Sequence, residues 1–336
     1  MKGGNLKLVV VKNGFDAWDW NILGMTLTER MRRIAEIHGL EFQLVESLED
    51  VDLTGSSIVL TRPILFDFKD LSTLSQHIPE SGCVEVYAST GEFTGIYLCN
   101  GGGLSNANKV SLDFCFVDVA TEGVKTAERF LLKKLIKPSD GPISRLINRR
   151  ISIPISRLLV RTSLTPNMLS LMSFTLALVA AAALALGTKL GLLIGGIMAE
   201  VASILDGCDG EIARLKLMFS EFGAWFDRVL DRYADILIIA ALSTAAMGGH
   251  PETAWMWGLI ATAGSLLMSY TANICDIMYL NGIPIRLGRD LRLFIVFFGG
   301  LFGKPFETLI VISFVSHIEV IRRIGAFAHN RSCIRH

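Results

Sequence analysis

The hydrophobic rhythm of the chain changes near residue 137. Before that point, short runs rich in β-branched and aromatic residues, KLVVVK (7–12), SSIVLTR (56–62), CVEVYAS (83–89), TGIYLCN (94–100) and FCFVDVA (114–120), alternate with longer polar-faced stretches. Two of these, TLTERMRRIAEIHG (26–39) and EGVKTAERFLLKKLIK (122–137), repeat apolar residues at the three-and-four spacing of a helix. The pattern predicts an α/β soluble N-terminal domain over 1–137, with a mainly parallel sheet covered by helices. After residue 163, apolar segments near bilayer length recur at 166–187, 190–217, 222–247, 252–274, 290–303 and 306–327. They predict an all-α six-helix transmembrane domain over 163–336, the fifth span being the shortest. Between the two parts, GPISRLINRRISIPISRLLVRTSL interleaves five arginines with Ile, Leu and Val. This predicts a juxtamembrane amphipathic helix over 138–162, lying along the membrane surface.

Composition agrees with a membrane protein: 51% of the 336 residues are hydrophobic and the mean hydropathy is +0.47. Lys and Arg balance Asp and Glu at 32 each, so only the placement of charge is informative, and nothing points to nucleic acid. Lys134, Lys137, Arg145, Arg149, Arg150, Arg157 and Arg161 precede the first span. Arg286, Arg289 and Arg292 fall between the fourth and fifth spans, and Arg322, Arg323, Arg331 and Arg335 follow the sixth. The opposite loops carry Lys189 and Lys304. The asymmetry predicts a multi-pass protein of the cell membrane with both termini cytoplasmic. Six widely spaced cysteines without a CxxC pair predict reduced thiols, and the first twenty residues predict no signal peptide.

Against this apolar background, LDGCDGEIARLKLMFSEFGAWFDRVLDRYAD (205–235) concentrates five aspartates. On a helix, Asp206, Asp209, Gly210, Ala213 and Arg214 fall within an arc of roughly 140°. Asp227 and Asp231, four apart, share a face of the next span, with Gly223 one turn earlier leaving room for close approach. The short connection near Ser220 makes the two spans antiparallel neighbours, so the carboxylates can meet. Ionised carboxylates crowded at a membrane boundary require neutralisation. An all-oxygen set selects Mg²⁺, Mn²⁺ or Ca²⁺, and four carboxylates balance two divalent ions, the clamp used in phosphoryl displacement. Arg214 suits a phosphate. Asp235 has drifted further round the helix and reads as a supporting residue. Glu211 reads as structural or solvent-facing, Glu200 as an intramembrane acid outside the pattern, and His317 and Glu319 as partners in interhelical hydrogen bonds.

These residues fit DxxDGxxARx8GxxxDxxxD without a gap, a match expected by chance on the order of 10⁻⁸. The motif resembles the signature of the CDP-alcohol phosphotransferase (CDP-alcohol phosphatidyltransferase) family, and the likeness covers roughly residues 138–336. It implies transfer of a substituted phosphate from a CDP-linked donor to the hydroxyl of an alcohol acceptor, with release of CMP. By motif position, Asp206, Asp209, Asp227 and Asp231 resemble ligands of two Mg²⁺ ions, with Mn²⁺ a substitute, and Asp231 also resembles the catalytic base. Pro166, Asn167, Gly210, Ala213, Arg214, Ser220 and Gly223 are similar to the family's CDP-binding positions. The resemblance further implies membrane lipid as a partner and a homodimer.

The helix and strand over 26–46 and the strand TGIYLCN resemble sugar-phosphate nucleotidyltransferases. However, VVVKNGFDAWDW and TRPILFD stand where that fold carries its Gly-rich loop and metal-binding Asp. The front domain is therefore expected to be a degenerate nucleotidyltransferase-like domain, the alternative being an active cytidylyltransferase. LDGCDGEIAR is similar to the di-myo-inositol-phosphate phosphate synthase branch, which implies a phosphorylated polyol such as inositol phosphate as acceptor. Arg286, Arg289, Arg292 and Lys216 are candidates to bind its phosphate. Three alternatives remain. The first is a phospholipid synthase using CDP-diacylglycerol with glycerol phosphate, inositol or serine. The second is a cation transporter, which requires midplane ligands and broken helices. The third is a receptor whose front domain binds a nucleotide.

Overall fold

The computed structural model describes residues 6–104, 107–136, 140–277 and 287–334. The chain separates into two compact units, Met1–Lys134 with Leu215–Leu217, and Leu135–Arg214 with Met218–His336.

The first unit runs β1 (Lys7–Val11), β2 (Asn21–Ile22), β3 (Met25–Thr26), α1 (Leu27–Ile37), β4 (Glu41–Val45), β5 (Ser56–Leu60), β6 (Ile64–Phe66), α2 (Asp70–Gln76), β7 (Gly82–Ala88), β8 (Phe93–Asn100), β9 (Asn108–Leu112), β10 (Phe116–Asp118) and α3 (Val119–Lys133). Six strands form one sheet in the order β4-β1-β5-β8-β7-β9. Side chains alternate across it: Leu8, Val10, Ile58, Leu60, Ile96 and Leu98 enter the main core with Trp18, Leu27, Met31 and Ile34. Val9, Val11, Val45 and Val59 pack on the opposite face. α1 is capped by Thr26, whose side chain accepts from the backbone N–H of Glu29 at 3.2 Å.

The sheet is mainly parallel, as the pattern predicts, with one strand reversed. β1 pairs in parallel with β4 and β5, and β7 with β9, but β8 is antiparallel to both β5 and β7. The cause is the short link through Gly91, because a parallel crossover needs a dozen or more residues and so few can only close a hairpin. That hairpin corrects the cysteine expectation. Its register sets Cys83 opposite Cys99, and the two form a disulfide with Cα atoms 4.2 Å apart.

The second unit is helical. A π-helical turn, Ser144–Asn148, leads into α4 (Arg149–Leu159). Then follow α5 (Pro166–Ala185), α6 (Lys189–Leu215), α7 (Glu221–Ala246), α8 (Ala254–Ile277), α9 (Arg289–Phe302) and α10 (Pro305–Ile334). α5 and α6 are long and apolar enough, by length and composition, to cross a membrane. Thr165 caps α5, with Pro166 at its first position, and Ser220 caps α7 through the N–H of Gly223 at 3.2 Å. The core is rich in small residues, among them Ala177, Ala180, Ala199, Ala202, Ala234, Ala241 and Ala261. Small residues let helix backbones approach closely, as membrane-type packing requires.

α9 crosses α6 with almost no space between backbones. A Cβ on Gly300 would lie 2.3 Å from the carbonyl oxygen of Leu192 and 3.0 Å from Cα of Gly196. A side chain there must push the helices apart, so Gly300→Val is expected to destabilise the protein by about 1–3 kcal/mol. Thermal unfolding of purified protein in detergent measures this, and a variant that melts with the wild type contradicts the close crossing.

Candidate active site

α6 and α7 run unbroken through the aspartates and set them on facing sides. One carboxylate oxygen from each of Asp206, Asp227 and Asp231 lies within 4.8 Å of the other two. Asp209 is the fourth member. Its carboxylate is within hydrogen-bond reach of Asp227, and it accepts from the hydroxyl of Ser170 on α5 and from the N–H of Gly210. The donor set is all carboxylate, half-buried and convergent, which fits a hard divalent cation such as Mg²⁺ or Mn²⁺.

Among the described residues, the positive charge nearest this cluster comes from the start of α9. Arg289 Nη1 lies 2.5 Å from Asp231 and 3.1 Å from Asp206, and its Nε donates to Asp235 at 3.2 Å. Arg292 is 4% exposed and does not face the open site. It donates to Asp235 at 2.8 Å and to the carbonyl of Ser265 at 2.7 Å. Asp235, 3% exposed, therefore stands behind the cluster and fixes two arginines. Arg232 approaches from the more open edge, 3.5 Å from Asp231 and 3.7 Å from Asp235.

Other sequence candidates fall at the start of α5, along α6 and at the start of α7. Asn167 Oδ1 lies 2.7 Å from where a Cβ on Gly223 would be, so this glycine is what admits Asn167, beside Pro166 at the start of α5. Arg214, one turn beyond Gly210 and next to Ala213, keeps Nε and Nη2 buried without a hydrogen-bond partner. Ser220 spends its hydroxyl on capping α7. Lys216 lies past the end of α6. Arg286 lies outside the described residues.

Beside Asp206 and Asp231 opens a polar cavity of about 290 Å³. Asp206, Asp231 and Arg289 form one wall, and Asn148, Arg149, Ser203 and Arg323 lie among the residues of the others. Arg149 and Arg323 read in the sequence only as membrane-topology charges, and no spacing links them to the aspartates. Arg323 donates to the carbonyl of Leu287 at 2.8 Å and to Glu319, fully buried, at 2.8 Å. The partners of Glu319 are thus Arg322 and Arg323 on its own helix, and His317 bonds the carbonyl of Ser313 one turn back. Arg323 is the group that crosses to another helix, donating to the carbonyl of Met268 and to Thr271 of α8.

The sequence model of the CDP-alcohol phosphatidyltransferase family matches residues 163–315. A protein of Rubrobacter xylanophilus named bifunctional IPC transferase and DIPP synthase is 40% identical over 241 residues, covering 70% of this chain and 53% of that protein. The archaetidylinositol phosphate synthase of Pyrococcus horikoshii is 26% identical over 182 residues, 53% of this chain and 93% of that protein. Among solved structures, phosphatidylinositol phosphate synthase of Mycobacterium tuberculosis with CDP-DAG bound has 23% identity and a TM-score of 0.45 over 53% of this chain and 93% of that one. The chain spans about half the length of the bifunctional relatives it matches.

Glu211 is fully buried rather than solvent-facing. Its Oε1 accepts from Arg149 Nη1 and from the hydroxyl of Ser152, each at 2.6 Å. Burial works against the charge on Arg149, but Asp140 and then Glu211 more than offset it and hold its pKa above the ordinary arginine value. The pair fastens α4 to α6 beside the cavity. Glu211→Ala leaves Arg149 paired with Asp140 but removes its second carboxylate and the acceptor of Ser152, so it should cost about 1–3 kcal/mol, read by thermal unfolding. Unchanged melting would show that α4 is held by other contacts.

Proposed function

Because residues 163–315 form a domain of the CDP-alcohol phosphatidyltransferase family, we propose that this chain is a multi-pass membrane transferase. It moves a substituted phosphate group from a CDP-linked donor to an alcohol hydroxyl and releases CMP. The observation that carries the reading is the convergence of Asp206, Asp227 and Asp231 beside a polar cavity, with two unpartnered guanidinium nitrogens of Arg214 farther along α6. The six helices cross the membrane with both chain ends on the cytoplasmic side, following the arginine distribution.

Asp206, Asp209, Asp227 and Asp231 would hold two divalent ions, Mg²⁺ with Mn²⁺ as a substitute. Such ions neutralise a diphosphate and polarise its phosphorus for in-line attack. Arg214 binds the donor phosphate with its two free nitrogens, and Asn167, Pro166, Ala213 and Gly223 make room for the nucleotide. Asp231 faces both the cluster and the cavity, so it takes the proton of an acceptor hydroxyl seated there. The cavity walls offer guanidinium, amide and hydroxyl groups and suit a small phosphorylated polyol. Inositol phosphate is the acceptor class favoured by this chemistry and by the products named for the relatives. A phospholipid synthase using CDP-diacylglycerol with glycerol phosphate, inositol or serine shares the same donor side and differs in the cavity's occupant. The N-terminal unit supports the membrane half or a homodimer and does not transfer nucleotides, since its first strand leads into VVKNGFDAWDW rather than a Gly-rich phosphate loop.

Purified protein is assayed for CMP release with CDP-inositol and CDP-diacylglycerol against inositol, inositol phosphate, glycerol phosphate and serine. Release is expected only with Mg²⁺ or Mn²⁺, and Asp206→Ala or Asp227→Ala should abolish it. Either variant turning over at the wild-type rate refutes the metal assignment. Asp231→Asn should lower kcat by about 10²–10⁴ while retaining donor binding; parallel loss of binding and turnover contradicts the base role. Separately, the protein should release no pyrophosphate from CTP and inositol phosphate, and release above a buffer control would restore the active cytidylyltransferase alternative.

A further inference from the structure

Arg289 stands where a cation is needed. Its Nη1 contacts Asp231 at 2.5 Å and Asp206 at 3.1 Å. That nitrogen is buried yet makes no aligned hydrogen bond. It is held by charge at contact distance, the kind of hold that another cation can take over. Asp206 and Asp231 are also two of the three carboxylates that meet within 4.8 Å, so the guanidinium and a divalent ion compete for the same oxygens. The Nε end is held differently, by a hydrogen bond to Asp235 at 3.2 Å. Asp235 is kept in place by Arg292 at 2.8 Å, and Arg292 is itself tied to the carbonyl of Ser265.

Charge balance points the same way. Asp206, Asp209, Asp227 and Asp231 together match two divalent ions, and Asp235 matches Arg292. With both ions bound, the charge of Arg289 is in surplus, and the polar cavity that it lines offers it space. We propose that Arg289 is a built-in counter-cation. It neutralises Asp206 and Asp231 before metal loading, and a divalent ion displaces its Nη1 toward the cavity while Nε stays on Asp235. The inference rests on the reading of Asp206 and Asp231 as metal ligands.

The test is Mn²⁺ binding to the purified full chain, followed by calorimetry or by the electron paramagnetic resonance of free Mn²⁺. Removing the competitor should tighten binding, so Arg289→Gln is expected to bind Mn²⁺ about tenfold or more tightly than the wild type. Arg232→Gln removes the same charge from the open edge and should change affinity by less than about threefold, since solvent screens it. In EDTA, Arg289→Gln should melt below the wild type, and saturating Mn²⁺ should close the gap. If this variant cannot be isolated, Arg289→Lys carries the test, because its shorter side chain cannot span Asp235 and Asp206 and should also bind Mn²⁺ more tightly. Wild-type binding with unchanged or weaker binding by both Arg289 variants overturns the inference alone. No Mn²⁺ binding by the wild type overturns the metal reading and the inference with it.

Discussion

Carboxylates crowded into a helix bundle must be neutralised, and much of the helical unit is arranged around that need. Two like charges 4 Å apart repel by about 4 kcal/mol at an effective dielectric near 20, and Asp206, Asp209, Asp227 and Asp231 present several such pairs. Among the described residues, Arg289 supplies the opposing charge at closest range, from the first turn of α9. The position of that turn depends on the far end of the same helix, where Gly300 lies against Leu192 and Gly196 of α6. A helix rises about 1.5 Å per residue, so a crossing eleven residues away sets the place of Arg289 to within a side-chain's reach. Backbone packing and site electrostatics are two ends of one short helix.

What the sequence revealed depended on the range of the interaction. Asp206 with Asp209, and Asp227 with Asp231, could be read as sharing faces because helical spacing is local, and the short link at Ser220 made the two faces meet. Arg289 and Arg292 lie three apart and look equivalent in sequence. In three dimensions one enters the cluster and the other is buried behind Asp235, a difference made by Asp235 of α7 and Ser265 of α8, which hold Arg292, and carried by no spacing. Arg149 and Arg323 reach the cavity from residues far apart in the chain and looked like topology charges. Of the two readings open for Glu211, structural or solvent-facing, the first holds, and its partners Arg149 and Ser152 come from α4.

The front unit shows a similar limit. Alternating β-rich and amphipathic runs announced an α/β arrangement, and β1, β4 and β5 pair in parallel as that alternation implies. The reversal at β8 came from the length of one connection, the turn at Gly91, which hydrophobic pattern does not weigh. The Cys83–Cys99 pairing depends in turn on the register of that hairpin. Cysteine spacing in the sequence could not express it.

The three arginines on the cavity walls share one construction. Arg149 is backed by Asp140 and Glu211, Arg323 by Glu319, and Arg289 by Asp235. A carboxylate behind a guanidinium fixes its orientation through charge-assisted hydrogen bonds and lowers the cost of keeping it buried before a ligand arrives. Arg149 and Arg323 already commit most of their five N–H donors to protein acceptors, so each offers the cavity mainly its charge. The buried acids Glu211, Asp235 and Glu319 therefore act through the arginines they hold. On the proposed function, a cavity whose polar groups are already oriented would bind a charged polyol at lower ordering cost. On this view the aspartates of the cluster and the acids behind the arginines carry out opposite tasks with the same functional group. The first set gathers negative charge that must be neutralised, and the second spends its charge holding guanidinium groups in place.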